Sequence, residues 1–103
     1  FWIMANVRRC NTIGIPAMVV HRGDNHGGTL LLKINRFELG CKVLTQARDI
    51  DGAKKWLGAF SGNYVDEVEA DEYIKRAVCR DPDLWVVEIE TPDGTHPFEG
   101  DEI

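Results

Sequence analysis

The sequence predicts an α+β fold, an antiparallel sheet of about five strands with two helices packed on one face, in the order α-β-β-β-β-α-β. Three observations predict it. Apolar stretches of strand length recur between turn-forming residues, a helical apolar stripe occupies residues 70–78, and a second helical pattern opens the chain. At 103 residues the chain holds one domain. A chain of that size buries about two-thirds of the surface its unfolded form exposes, enough for a core without staples.

The first helix is expected over residues 1–13. Ile3, Val7 and Cys10 share a face, while Arg8, Arg9 and Asn11 lie largely off it. Gly14 suits the left-handed residue that ends a helix, and Pro16 forbids its continuation. Residues 17–22 and 29–37 read as strands. Between them Gly23-Asp24-Asn25-His26-Gly27-Gly28 is dense in residues that accept turn conformations, so a hairpin is expected. Residues 41–48 alternate, Asp51-Gly52 marks a turn, and 54–61 reads as a fourth strand. Short loops joining all four favour an antiparallel meander, because parallel pairs need long crossovers.

The second helix carries Ala70, Tyr73, Ile74, Ala77 and Val78 on one stripe. Asp66 and Glu69 have the spacing of an N-terminal capping arrangement. Acids cluster at the positive end of the helix dipole and Lys75, Arg76 and Arg80 toward its negative end. Asp71–Lys75 and Glu72–Arg76 are acid-before-base pairs four residues apart. Asp81 before Pro82 ends the helix. Residues 84–90 form a fifth strand with Trp85, Val87 and Ile89 on one face, and from about 97 a short polar tail is expected to fray.

The net charge of −5 conceals a division. Residues 1–60 hold nine Lys and Arg against four acids, and residues 61–103 hold three against thirteen. Attraction between the two halves, within one chain or between two copies, accounts for this without a ligand. No apolar run approaches the ~20 residues of a membrane-spanning helix. Cys10, Cys41 and Cys79 are spaced neither as a disulfide framework nor as a metal motif, so reduced thiols and a cytoplasmic location are expected.

The remaining chemistry-bearing residues have ordinary readings. His21 and His26 flank the glycine-rich turn with Asp24, but a metal site wants tighter spacing and a third ligand. The same loop joins two strands, whereas phosphate loops open a helix. Cys10 follows two arginines yet shares the face of Ile3 and Val7, which makes it a buried apolar residue. Cys41 and Cys79 read the same way. Glu88 and Glu90 project from one strand face about 7 Å apart, a usable acid–base separation, but they read as the wet side of the strand. Trp85 reads as a core anchor. Trp56, beside Lys54 and Lys55 on a strand without clear alternation, reads as exposed and therefore as part of an interface.

Asp81-Pro82-Asp83-Leu84-Trp85-Val86-Val87-Glu88-Ile89-Glu90, Phe1-Trp2 before Arg8-Arg9-Cys10, and His21-Arg22-Gly23-Asp24 ahead of a strand with Lys33 together resemble an alphaproteobacterial family, domain-of-unknown-function family 1491. The resemblance spans nearly the whole chain and is loosest from Phe37 to Asn63. It implies a small bacterial, cytosolic protein and carries no activity or functional residues.

The expected function is therefore a protein-interaction or self-association module without catalytic activity. Its candidate interface is Arg8, Arg9, Arg22, Arg36, Lys54, Lys55 and Trp56. No cofactor, metal or membrane contact is expected. The alternative is a nucleic-acid or anionic-ligand binder using the basic first half, although the acidic second half would repel a polyanion. A small enzyme of unidentified type comes third.

Overall fold

The computed structural model describes residues 2–103; Phe1, where the first expected helix begins, lies outside them. The elements are α1 (Trp2–Thr12), β1 (Ala17–His21), β2 (Leu30–Asn35), β3 (Cys41–Arg48), β4 (Lys54–Gly58), α2 (Glu67–Arg80), β5 (Trp85–Glu90) and β6 (Asp101–Glu102). The α+β class and both helices match the reading of the sequence. The sheet differs: it has six strands in the order β1-β5-β2-β3-β4-β6, and it is mixed.

The meander holds for β2, β3 and β4, which pair antiparallel in succession. The expected β1–β2 hairpin does not form. β5 lies between those strands, antiparallel to β1 and parallel to β2. The physical reason is that β5 is apolar on both sides, with Trp85, Val87 and Ile89 on one and Leu84 and Val86 on the other, so it belongs in the interior of the sheet. The chain through β3, β4 and α2 supplies the long crossover that the parallel β2–β5 pair requires.

The helices also lie on opposite faces of the sheet, not on one. α1 packs its Val7 and Cys10 with Leu30, Leu32, Ile34, Leu44, Trp56, Trp85, Val87 and Ile89. α2 packs Ala70, Ile74 and Ala77 with Leu31, Cys41, Val43, Leu84 and Val86. Adjacent residues of one strand thus enter different cores, as the pleat demands, and all six residues of β2 are buried. The face of β5 that bears Glu88 is covered by α2, so that carboxylate is not on a wet side.

The C-terminal segment is a strap and not a frayed tail. Phe98 is 3 % exposed and sits in the α1-side core. It meets Trp2 and Trp56 edge to face at ring distances of 5.6 and 6.4 Å. Trp56 Nε1 donates to the Glu99 carbonyl at 3.0 Å, and β6 then runs parallel to β4. Trp56, expected to be exposed, is 1 % exposed because this strap crosses it.

Candidate functional site

Charge is distributed by residue type. Among the described residues every salt bridge joins a lysine of residues 1–60 to an acid of residues 61–103: Lys33 to Glu67, Asp71 and Glu88, Lys42 to Glu102, Lys54 to Glu99, and Lys55 to Asp101. Within the chain these pairs tie the two halves together. The arginines stand apart from it. Arg36 lies over the Tyr64 ring and donates to the Pro92 carbonyl, and Arg48 donates to the Gly52 carbonyl. Arg8, Arg9 and Arg22 have no carboxylate within salt-bridge distance among the described residues.

Lys33 is the most buried of these charges, at 4 % exposure, beneath the first turns of α2. Its Nζ lies 2.8 Å from Glu67 and 2.7 Å from Asp71, with Glu88 at 3.5 Å. Asn35 donates to Glu67 and Glu88 and accepts from the Phe37 N–H. Burial alone would favour the neutral amine. The hydrogen bonds to Asp71 and Glu67 and the Glu88 charge more than offset it, and the pKa of Lys33 is raised above the ordinary lysine value. The cluster ties helix to sheet. Asp71 turns toward Lys33 and not to the expected partner Lys75, and in the capping arrangement expected of Asp66 and Glu69 the Asp66 side chain makes no capping hydrogen bond.

On the other face α1 covers the sheet only in part. Between its N-terminal half and the β1–β2 loop runs a half-open groove of about 820 Å³. One wall is Trp2, Ile3, Met4, Ala5 and Arg8, the other is Arg22 and the loop from Asp24 to Gly28, and Gln46 and Trp85 close the floor. The loop is seated by its backbone. Trp85 Nε1 donates to the Asp24 carbonyl at 2.8 Å, and the Asp24 N–H donates to the Asp83 carbonyl at 3.0 Å. A Cβ on Gly23 or Gly28 would run into the Asp83 carbonyl and the Trp85 ring, so both positions need glycine for close approach. The Arg22 guanidinium lies over Trp85, 5.4 Å from the ring centroid.

Of the interface residues expected from sequence, the groove gathers Arg8 and Arg22. Lys54 lies at its margin, with Nζ 4.1 Å from the Trp2 ring centroid. The others disperse. Arg9 does not line the groove, Arg36 lies against Tyr64, Lys55 pairs with β6, and Trp56 is core. Trp2, Met4, Asp24 and His26 line the groove without having been singled out as a set. The sequence signal for them was the glycine-rich loop, whose seat on Trp85 depends on a strand sixty residues away.

Cysteines and histidines do not converge. Cys10 and Cys41 lie in different cores on opposite faces of the sheet. Burial raises the pKa of Cys10 and pushes that of Cys41 up to about 11, so neither is an activated thiol. Cys79, expected to be buried, is exposed. His21 Nδ1 lies 2.7 Å from the Leu84 carbonyl, which can only accept, so that nitrogen carries the proton. His26 is at the exposed loop, and His96 sits against Trp56 and Phe98. Among the described residues no group of three or more His, Cys, Asp or Glu could hold a metal ion, and no helix is long and apolar enough to cross a membrane.

Comparison with known proteins completes the picture. A crystal structure of a DUF1491 family protein from Caulobacter crescentus CB15 is similar with 34% identity and a TM-score of 0.86, covering 99% of this chain and 94% of that one. An NMR structure of a DUF1491 family protein from the same organism gives 34% identity and a TM-score of 0.81, covering 99% and 92%. The solution structure of protein Atu0922 from A. tumefaciens shares the fold at 23% identity and a TM-score of 0.70, over 87% and 81% of the two chains. No curated protein matches. The family model described as "Protein of unknown function (DUF1491)" matches residues 1–99, and the chain belongs to that family.

Proposed function

We propose that the protein is a non-catalytic interaction module that holds part of a partner protein in the groove between α1 and the β1–β2 loop. One observation carries this reading. Arg8 and Arg22, delivered by two different elements and free of carboxylate partners among the described residues, meet on one aromatic-floored groove, while the lysines of residues 1–60 are neutralised within the fold. Uncompensated charge beside partly exposed apolar surface suits an interface with a polar rim.

Other readings are less well supported. A nucleic-acid track would need the cations of the first half on one surface, and they are scattered. Self-association through a sheet edge meets obstacles at both ends. At β1 the Asn11 amide answers both the N–H and the carbonyl of Ala17, at 3.2 and 3.1 Å, and a bulge interrupts the strand between Val19 and His21. At β6 the edge is Asp101 and Glu102. An enzyme would need an activated nucleophile or an acid–base set, and the buried thiols and the lysine-bound carboxylates provide neither. The three unpaired cysteines fit a reducing compartment, which supports a cytoplasmic location.

The test is affinity capture from the native host's lysate with the full chain and with its Arg8→Ala/Arg22→Ala variant, with and without nuclease. A protein retained by the parent, resistant to nuclease and lost from the variant supports the groove as the docking site. Equal retention by both chains places docking elsewhere, and retention abolished by nuclease favours nucleic acid.

A further inference from the structure

We infer that the groove selects a segment of the partner in which a single carboxylate adjoins an apolar side chain, an acidic–apolar stretch of extended chain. This rests on the interaction reading above and names the chemistry recognised there. The charges lining the groove are Arg8 and Arg22 against Asp24, a formal surplus of one positive charge with His26 neutral. Beyond Trp2, Lys54 is already engaged by Glu99 at 3.7 Å. The positive charge of the groove is therefore small, with Asp24 on its lining and Glu99 beside Lys54 at its margin. One carboxylate matches it. A phosphate dianion or a polyanion would bring surplus charge toward Asp24 and Glu99.

The walls specify the rest. Arg22 lies over the Trp85 ring with no carboxylate bonded to it among the described residues, which leaves its N–H groups for the two-pronged contact that a carboxylate accepts. Opposite the loop, Trp2, Ile3 and Met4 are only partly buried by the core they pack on, so an apolar side chain laid there removes surface the fold leaves wet. Met4 adds a side chain that adapts to shape. Asn25, His26 and Gln46 offer polar groups of both kinds to the backbone of an extended chain. A half-open groove leaves room for a chain that enters and leaves it.

The experiment is a titration of the isotope-labelled full chain, followed by amide and indole N–H shifts, with the capped peptide Ser-Leu-Glu-Leu-Ser. Parallel arms replace Glu by Gln and by phosphoserine, and a further arm uses 4-phenylbutyrate as a free apolar acid. The Glu peptide should shift the Trp85 indole and the Gly27 and Gly28 amides to saturation. The Gln peptide should bind on the order of tenfold more weakly, as should the Glu peptide to Arg8→Ala, a variant on an exposed helical position that leaves the fold intact. Tighter binding of the phosphoserine peptide, indifference to the Gln exchange, tighter binding of 4-phenylbutyrate, or no groove shift with any peptide would each overturn the inference. Lysate capture that still depends on Arg8 and Arg22 would leave the interaction module standing in those cases, so the two failures are separable.

Discussion

The two faces of this sheet meet the same problem in opposite ways. Beneath α2 the buried charge is satisfied: Lys33 is 4 % exposed and bonded to Glu67 and Asp71 at the rim and near Glu88 within, with Asn35 bridging Glu67 and Glu88. Beneath α1 the polar groups lie outside an aromatic core, and Arg8 and Arg22 border an open groove. A 14-residue helix covers the centre of one face and leaves Met18, Val20 and Leu57 exposed at its flanks, while an 11-residue helix and the Phe98 strap divide the other between them. The strap closes the Trp56 end, and the Trp85 end stays open. The lysine of the α2 face is matched by carboxylates, whereas Arg8 and Arg22 on the α1 face have no carboxylate within salt-bridge distance among the described residues.

The largest effect should come from the closed end of the α1 face. Trp56→Ala removes a fully buried indole, its edge-to-face contact with Phe98 and its bond to the Glu99 carbonyl, and should cost about 3–5 kcal/mol by denaturant unfolding. A loss below 1 kcal/mol would mean that the strap does not dock there. Next is Lys33→Met on the α2 face, which keeps volume and removes the charge. Breaking a fully buried ion pair costs about 3–5 kcal/mol, but Glu67 and Asp71 side chains are 55% exposed and can rehydrate, so about 1–3 kcal/mol is expected. Adding Glu88→Gln, whose parent side chain is 16% exposed, should recover part of that loss. An unchanged double variant would show that Glu88 is not held by Lys33.

Local periodicity made the helices and the β2–β3–β4 meander legible, because each is decided within a short window. The faces were not. Leu31, Lys33 and Asn35 alternate with Leu30, Leu32 and Ile34 as a half-wet strand would, and nothing local says that a second helix covers the polar row. β5 entering between β1 and β2 turns on burying both of its sides, a tertiary matter. Trp56 was misjudged because the segment that buries it lies more than forty residues downstream, marked only by Phe98 in a polar run. For the groove, charge asymmetry pointed to the half of the chain that supplies most of its lining, Arg8 and Arg22 among it. Composition could not separate arginines left free from lysines already paired.

The strap and the groove share Trp2, which touches Phe98 and lines the groove, so acid offers a smaller perturbation of the same comparison. Burial lowers the pKa of His96 from its usual 6.5, and no partner for its Nδ1 occurs among the described residues. Its folded pKa is below the unfolded one, so the unfolded state takes up the proton first. Stability is therefore fully present above about pH 6.5 and declines as pH falls through the folded value. Comparing unfolding midpoints of the parent and His96→Phe between pH 7.5 and 5 isolates this contribution: the parent should lose more than the variant, and parallel losses would assign the acid sensitivity to other groups.

The smallest effect on stability should belong to the two arginines of the groove. Arg8 is exposed on α1 and makes no salt bridge among the described residues, so Arg8→Ala should change unfolding free energy by no more than about 0.5 kcal/mol. Arg22→Ala gives up the stacking on Trp85 and should cost about 0.5–1 kcal/mol. Measured together with Lys33→Met, these variants ask whether the two faces divide labour: Lys33→Met should lower stability with ligand affinity in the groove little changed, and Arg8→Ala should do the reverse. If Arg8→Ala destabilised the fold as much as Lys33→Met, the arginine would be structural after all, and the contrast between the two faces would lose its basis.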